Sequence, residues 1–394
     1  MGNEVLDRVH EMACTIEAQA FEAEELGRLP DETAKMMREA GVIRMLQPAD
    51  FGGYECDPRD FFEAVMHLGS RCGATGWVAG IVGVHPWEMA LCDRRVQEEI
   101  WGEDPDTWIA SPYMPAGRAR PVDGGFEFTG HWSFSSGTDH CNWVFLGGIV
   151  TDQEGNLAKP LDVRHFVLPR ADYTIHDDSW DVVGLRGTGS KDVTVDAAFV
   201  PEYRTIRANS VIDGSAPITA GRQDSPLYMT PWSAIFPNAI TAAVIGIAEG
   251  ALAAHVAYQR DRVTARRVKT SEDPWSMGAI ADAASEIHSC RTQLITNVGR
   301  MYEMACRGET VPMSMRAAGR RDQVRGSWRA VRAVDEIFAR TGGGALRMDN
   351  PMQRFWRDSH AGLNHAINVY GAVYQAYTKI EMGLDPGNIF ALTI

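Results

Sequence analysis

The chain has 394 residues, of which 45% are hydrophobic and 23% charged. That balance belongs to an ordinary globular protein and excludes the disordered and fibrous classes, and the length suits two or three structural units over one continuous core. With 38 basic against 52 acidic residues the formal charge is −14, and no basic stripe offsets it, which disfavours nucleic acid as a partner.

In chain order, the opening Met1-Gly2-Asn3-Glu4-Val5-Leu6-Asp7-Arg8 is polar and soon amphipathic, without the basic start and apolar centre of a signal peptide. Val5, Val9, Met12 and Ile16 recur at helical spacing, and Pro30-Asp31-Glu32 opens a further helix that stops near Gly41, so residues 1–114 are expected to form a helical domain. Short alternating or β-branched runs follow, among them Phe126-Glu127-Phe128-Thr129, Trp143-Val144-Phe145-Leu146, Phe166-Val167-Leu168 and Val193-Thr194-Val195. Gly124-Gly125, Gly137 and Gly187-Thr188-Gly189 punctuate them as turns, so residues 115–210 are expected to form a small β domain. Helical periodicity then returns over Ala239–Val268, Met277–Arg307, Met315–Arg340 and Asn364–Met382, and residues 211–394 are expected to form a helical bundle. The order helices, strands, helices cannot build an alternating βαβ sheet, and no strand-linked G-x-G-x-x-G is present, so no nicotinamide site is expected. The apolar stretch Ile240–Ala248 falls short of the roughly 20 residues that cross a bilayer. Seven scattered cysteines without a C-x-x-C pair fit reduced thiols in a cytoplasm.

Several stretches carry a resemblance. Phe128-Thr129-Gly130-His131-Trp132-Ser133-Phe134-Ser135-Ser136-Gly137, Gly184-Leu185-Arg186-Gly187-Thr188-Gly189-Ser190, Phe199-Val200-Pro201 and Arg357-Asp358 resemble the acyl-CoA dehydrogenase superfamily. The resemblance implies an α+β fold with an N-terminal helical domain, a central small β-barrel or sandwich and a C-terminal four-helix bundle. Within that superfamily, Leu29-Pro30-Asp31-Glu32-Thr33, Phe51-Gly52-Gly53, Gly73-Ala74-Thr75-Gly76-Trp77-Val78, Ile81-Val82-Gly83-Val84-His85, Ser135-Ser136-Gly137-Thr138-Asp139-His140 and Gln353-Arg354-Phe355-Trp356-Arg357-Asp358 look most like the two-component flavin-dependent monooxygenases. The likeness is to the oxygenase components that hydroxylate phenolic seco-steroids and 4-hydroxyphenylacetate.

That resemblance implies reduced flavin (FMNH2 or FADH2) as cofactor, O2 as co-substrate through a C4a-hydroperoxyflavin, and a bulky aromatic substrate. It also implies a separate NAD(P)H-dependent flavin reductase and a homotetramer. Site residues carry over one by one. Ser136 matches the serine that bonds flavin N5, with Ser135 beside it, where the plain reading is a polar turn. His85, in an otherwise apolar run, matches the histidine that takes the phenol proton, although a lone histidine there is more often a satisfied core residue. Ser111 matches a serine that holds the substrate hydroxyl, but Ala110 before it and Pro112 after it depart from the family's run of serines. His365 matches a C-terminal histidine that faces the flavin, and His360 is placed on another face of the same helix. Arg262 resembles an arginine that reaches flavin phosphate from a neighbouring subunit, against a plain reading as a solvated helix face. Trp77, Trp132 and Trp143 could line the cavity or be core, and Trp132 is counted with the cofactor-binding set.

Other readings stay open. An N-hydroxylating enzyme of the same fold would share most of these residues. An acyl-CoA dehydrogenase needs a carboxylate nine residues after Arg357, where Ala366 stands, or near Phe236-Pro237, and neither position is acidic. Glu249 is the one further acid on that helix to weigh. His360, His365 and Asp358 form neither H-E-x-x-H nor a facial triad, so no metal is expected.

Overall fold

The computed structural model describes residues 2–264, 267–388 and 394. The first 101 residues form helices, of which Pro58–Arg71 and Gly73–Met89 matter most here. All 17 residues of Gly73–Met89, called the central helix below, are buried. Four glycines make it a poor helix by propensity, and packing overrides that cost. A Cβ on Gly76 would lie 2.3 Å from the Cα of Gly69 on the neighbouring helix, and one on Gly83 would lie 2.5 Å from the Phe61 ring. The small residues are what let the helix Pro58–Arg71 close against it.

The eight strands are β1 Ile109–Ala110, β2 Gly117–Val122, β3 Gly125–Ser135, β4 Trp143–Val150, β5 Val163–Pro169, β6 Thr174–His176, β7 Lys191–Pro201 and β8 Thr205–Arg207. They make one sheet in the order β6-β7-β3-β2-β4-β5-β8, with β1 paired parallel to β4. β1 precedes residue 115, so the sheet starts before the boundary read from the sequence. β3 and β7 are long antiparallel partners whose register shifts twice, between Phe128 and Gly130 and between Trp132 and Ser135. The second irregularity bends the end of β3 and delivers Ser135, Ser136 and Gly137 to the central helix. Gly137 has φ +70°, and a Cβ there would meet Val78 of that helix at 3.0 Å. Glycine is required at this junction both for its backbone conformation and for the approach.

The C-terminal helices are Trp232–Arg260, Pro274–Cys306, Met313–Thr341, Pro351–Leu363 and Tyr370–Glu381. The long one begins seven residues before the start read from periodicity, running through Pro237. It is long and apolar enough to cross a membrane, contrary to the sequence expectation, but 72% of its most apolar window is buried within the fold. Protein covers its apolar faces, as befits a core helix. The last helical stretch also divides. Pro351–Leu363 ends two residues before His365, which caps the short turn Ala366–Asn368. His360 and His365 therefore do not share a helix.

Candidate active site

Two groups of polar side chains are built on the central helix, at Trp77 and at His85. Eight residues separate them, about 12 Å along the axis.

At the Trp77 end, the indole Nε1 donates to Ser136 Oγ at 3.2 Å. Ser136 Oγ and Ser190 Oγ are 2.7 Å apart, as are Ser190 Oγ and Thr188 Oγ1, and the Thr188 hydroxyl donates to the Leu185 carbonyl at 2.8 Å. A carbonyl only accepts, so every proton in this ladder has an assigned direction. Thr188 gives to Leu185, Ser190 to Thr188, and Ser136 to Ser190. Ser136 thus uses its hydroxyl proton within the ladder and keeps one oxygen lone pair for a ligand. The Leu185 end is fixed by the Arg357-Asp358 pair. Asp358 Oδ1 accepts from Leu185 N–H at 2.6 Å, and Arg357 donates to the Val183 carbonyl at 2.5 Å. Arg357 is itself held by Glu24 at 2.5 Å. Leu185 has φ +54°, a conformation uncommon for a leucine, so this clamp holds the strained turn on which the ladder rests.

His365 completes this end. Its ring meets Trp77 edge-on with centroids 5.9 Å apart, and Nδ1 accepts from the Ile367 N–H at 3.2 Å. Although part of the residue remains exposed, the apolar surroundings of the ring disfavour its cation and push its pKa down to about 4. The neutral ring therefore carries its proton on Nε2 and offers a donor.

At the other end the tautomer is reversed. His85 is fully buried, and its Nδ1 lies 2.5 Å from the Ile109 carbonyl of β1. That bond requires the proton on Nδ1. Burial pushes the pKa down to about 4, the Ile109 bond and Glu88 acting against it. Nε2 is left as a bare acceptor with no partner among the described residues. Ser111, 5% exposed, follows β1 two residues after Ile109, whose carbonyl holds His85. Aromatic rings wall this end. Tyr113 meets His85 edge-on at 5.7 Å and Phe236 at 5.2 Å, and Phe236 stacks on Trp232 at 5.2 Å.

The remaining sequence candidates fall differently. Ser135 is fully buried and its Oγ has no partner among the described residues. Trp132 points into the β domain, packed on Phe128, with Nε1 donating to the carbonyls of Gly147 at 2.9 Å and Met114 at 3.1 Å. Its polar atom is spent in the core, which corrects its place in the cofactor-binding set. Arg262 donates to Gln259 at 3.3 Å and to the Arg340 carbonyl at 3.2 Å, beyond the far end of the Trp232–Arg260 helix. Gly362 packs against both Trp77 and Val244 of that helix, and from Val244 to the helix end is about 24 Å at 1.5 Å per residue, so Arg262 stands well away from the Trp77 end of its own chain. Glu249 is bound by Arg291 at 2.8 Å, a structural pair. Phe236 is a pocket-wall ring and Ala366 an exposed turn residue, so neither acid position of a dehydrogenase is filled.

A flavin needs an acceptor for a ring N–H, donors for its carbonyls and a water-poor environment. The free lone pair of Ser136, the Nε2–H of His365 and the unpartnered Ser135 hydroxyl fit such a group. Sequence reasoning missed Ser190 and Thr188 as a relay and did not identify Glu88 or His165. A carboxylate one turn after His85 in an otherwise apolar helix was the available signal for Glu88.

The helix–sheet–helix order and the flavin-compatible site define a chain of the acyl-CoA dehydrogenase fold. Residues 238–370 match the family model described as acyl-CoA dehydrogenase, C-terminal domain. The chain is 51% identical over 386 residues to a pigment production hydroxylase of Rhodococcus erythropolis, covering 98% of both. It is 44% identical over 386 residues to the flavin-dependent monooxygenase oxygenase subunit HsaA of Mycobacterium tuberculosis, covering 98% of this chain and 96% of that one. The crystal structure of the HsaA monooxygenase from M. tuberculosis superposes with a TM-score of 0.92 at 42% identity, covering 99% of each chain. The chain belongs to the family of flavin-dependent monooxygenase oxygenase subunits, and it is an oxidoreductase that works with reduced flavin.

Proposed function

We propose that the protein hydroxylates a bulky phenol, with His85 as the base for the phenolic proton and Ser111 beside the substrate hydroxyl. The single observation that carries this reading is the bare Nε2 of a fully buried, neutral histidine inside an aromatic wall. A phenol suits that place, because its ring fills the aromatic surface and its hydroxyl satisfies an acceptor that otherwise remains unpaired. Proton transfer to Nε2 makes the ring electron-rich at the ortho carbon.

Reduced flavin, FMNH2 or FADH2, supplies two electrons to O2, so that one oxygen atom enters the ring and the other leaves as water. On this chain, Ser136 Oγ would accept from the flavin with Ser135 beside it, and the His365 Nε2–H would donate to developing negative charge. The full burial of His85 keeps water from the base. A separate NAD(P)H-dependent reductase would deliver the flavin by diffusion, in the cytoplasm. Arg262, well away from the Trp77 end of its own chain, would suit a flavin phosphate on a second copy, in keeping with a homotetramer in which the bundle ends of one chain complete the site of another.

The test is to supply enzymatically reduced flavin under isotopically labelled dioxygen to a panel of phenols and aryl amines. A catechol carrying one labelled oxygen per molecule is the expected product. An N-oxygenated product from the amines alone would replace the phenol reading with the N-hydroxylating one.

A further inference from the structure

Two buried polar groups that this reading leaves unused adjoin His85. Glu88 follows it by three residues on the central helix, a spacing that brings Cβ atoms to roughly 5–6 Å on one face. His165 on β5 has Nδ1 at 2.5 Å from Glu88 Oε1, with one proton between them. The Glu88 side chain is 2% exposed and that of His165 10%, so the histidine is the pair's contact with solvent. Tyr113 ties the pair to His85. Its ring lies flat on His165, with centroids 4.3 Å apart at 14°, and edge-on to His85. A buried carboxyl–imidazole pair is a poor source of stability compared with apolar packing, so its presence beside a site calls for a use.

The chemistry of His85 supplies one. Its Nδ1 is committed to the Ile109 carbonyl, so a proton received at Nε2 creates an imidazolium that cannot pass its charge on through the other nitrogen. Burial opposes that cation, Glu88 favours it and His165 opposes it. The other titratable groups of the cluster stay neutral. Burial raises the pKa of both Tyr113 and Cys92 well above the ordinary values, with the Glu88 charge adding to it.

We propose that the Glu88–His165 pair controls the charge that His85 can bear, Glu88 serving as counter-charge to its imidazolium and a proton on His165 withdrawing that support. Both are positioning residues in this sense, acting through His85. The inference rests on the reading of His85 as proton acceptor.

The experiment is an NMR titration of the His85 ring in the full chain carrying isotope-labelled histidine, with His85→Asn to assign the signal. His165→Gln, which keeps a hydrogen bond to Glu88 without a positive charge, raises the His85 midpoint by about one pH unit or more. The double variant Glu88→Gln/His165→Gln abolishes that rise. A midpoint unmoved by His165→Gln, or a rise that persists in the double variant, would overturn the proposal. If His165→Gln does not fold, His165→Asn takes its place with the same two outcomes. Should the coupling hold while His85→Asn leaves hydroxylation intact, the function assigned to His85 fails and the electrostatic pair stands.

Discussion

The two ends of the central helix use the same residue types to opposite effect. In the ladder at the Trp77 end each hydroxyl proton has a fixed destination, from Ser136 through Ser190 and Thr188 to the Leu185 carbonyl, while Ser135 Oγ beside it has no partner among the described residues. At the His85 end, Nε2 has no partner among the described residues. The histidines differ likewise. His365 accepts at Nδ1 and offers a proton, whereas His85 lies against a carbonyl at Nδ1 and offers a lone pair. A satisfied, rigid end suits the holding of a cofactor, and an unsatisfied one suits a group that must take up a proton. The backbone partner of each ring decides which role it plays.

The sharpest break in this comparison is His85→Asn, which removes the proposed base and leaves the ladder intact. Hydroxylated product per turnover falls by about 100-fold or more, while reduced-flavin affinity changes little, as anaerobic titration followed by product analysis would show. Ser136→Ala acts at the opposite end. It strands the Trp77 N–H and leaves the Ser190 oxygen without the proton it accepted, costing about 1–3 kcal/mol of stability, read as a lowered denaturant midpoint, and it weakens flavin binding. Thr188→Val is subtler. It frees the Ser190 hydroxyl to donate back to Ser136, which turns Ser136 from acceptor to donor. The preference for reduced over oxidised flavin should fall by about fivefold, the equivalent of one ordinary hydrogen bond, in paired binding titrations.

A smaller effect is shared by both ends. His85 and His365, with His67 and His255 elsewhere, all have pKa values pushed down to about 4 by burial. Between the ordinary histidine value and about 4 the unfolded chain binds more protons than the folded one, so their contribution is present above that window and is lost as pH falls through it. Asp358 and Glu249, raised by burial to about 6 and about 7, oppose the trend, because there the folded chain holds the extra proton. The four histidines outnumber them, and thermal unfolding should move to lower temperature as pH drops from about 6.5 towards 4.

Much of this architecture was legible in the sequence because it rests on local pattern. Helical periodicity, alternating strands and glycine turns gave the three-part order, and Ser136, His85, Ser111 and His365 stood in recognisable stretches. What stayed hidden depends on contacts between distant segments. Trp77 and Ser136 are 59 residues apart, and Glu88 and His165 are 77 apart, and no spacing rule links such pairs. Proline at 237 hid the true start of the long helix, since a break there is the ordinary expectation and tertiary packing overrode it. Trp132 misled for a related reason. Its place on the strand next to the site said nothing about which face its ring would take, and the strand's alternation turned it inward.

The central claim is that one end of the helix holds the cofactor while the other prepares the substrate. It is tested most directly by titrating reduced flavin anaerobically into Ser136→Ala and His85→Asn, then admitting oxygen with a bound phenol and counting hydroxylated product per flavin oxidised. The account predicts a split, with flavin affinity lost in Ser136→Ala and kept in His85→Asn, and product per bound flavin lost chiefly in His85→Asn. Equal loss of both quantities in both variants would contradict it.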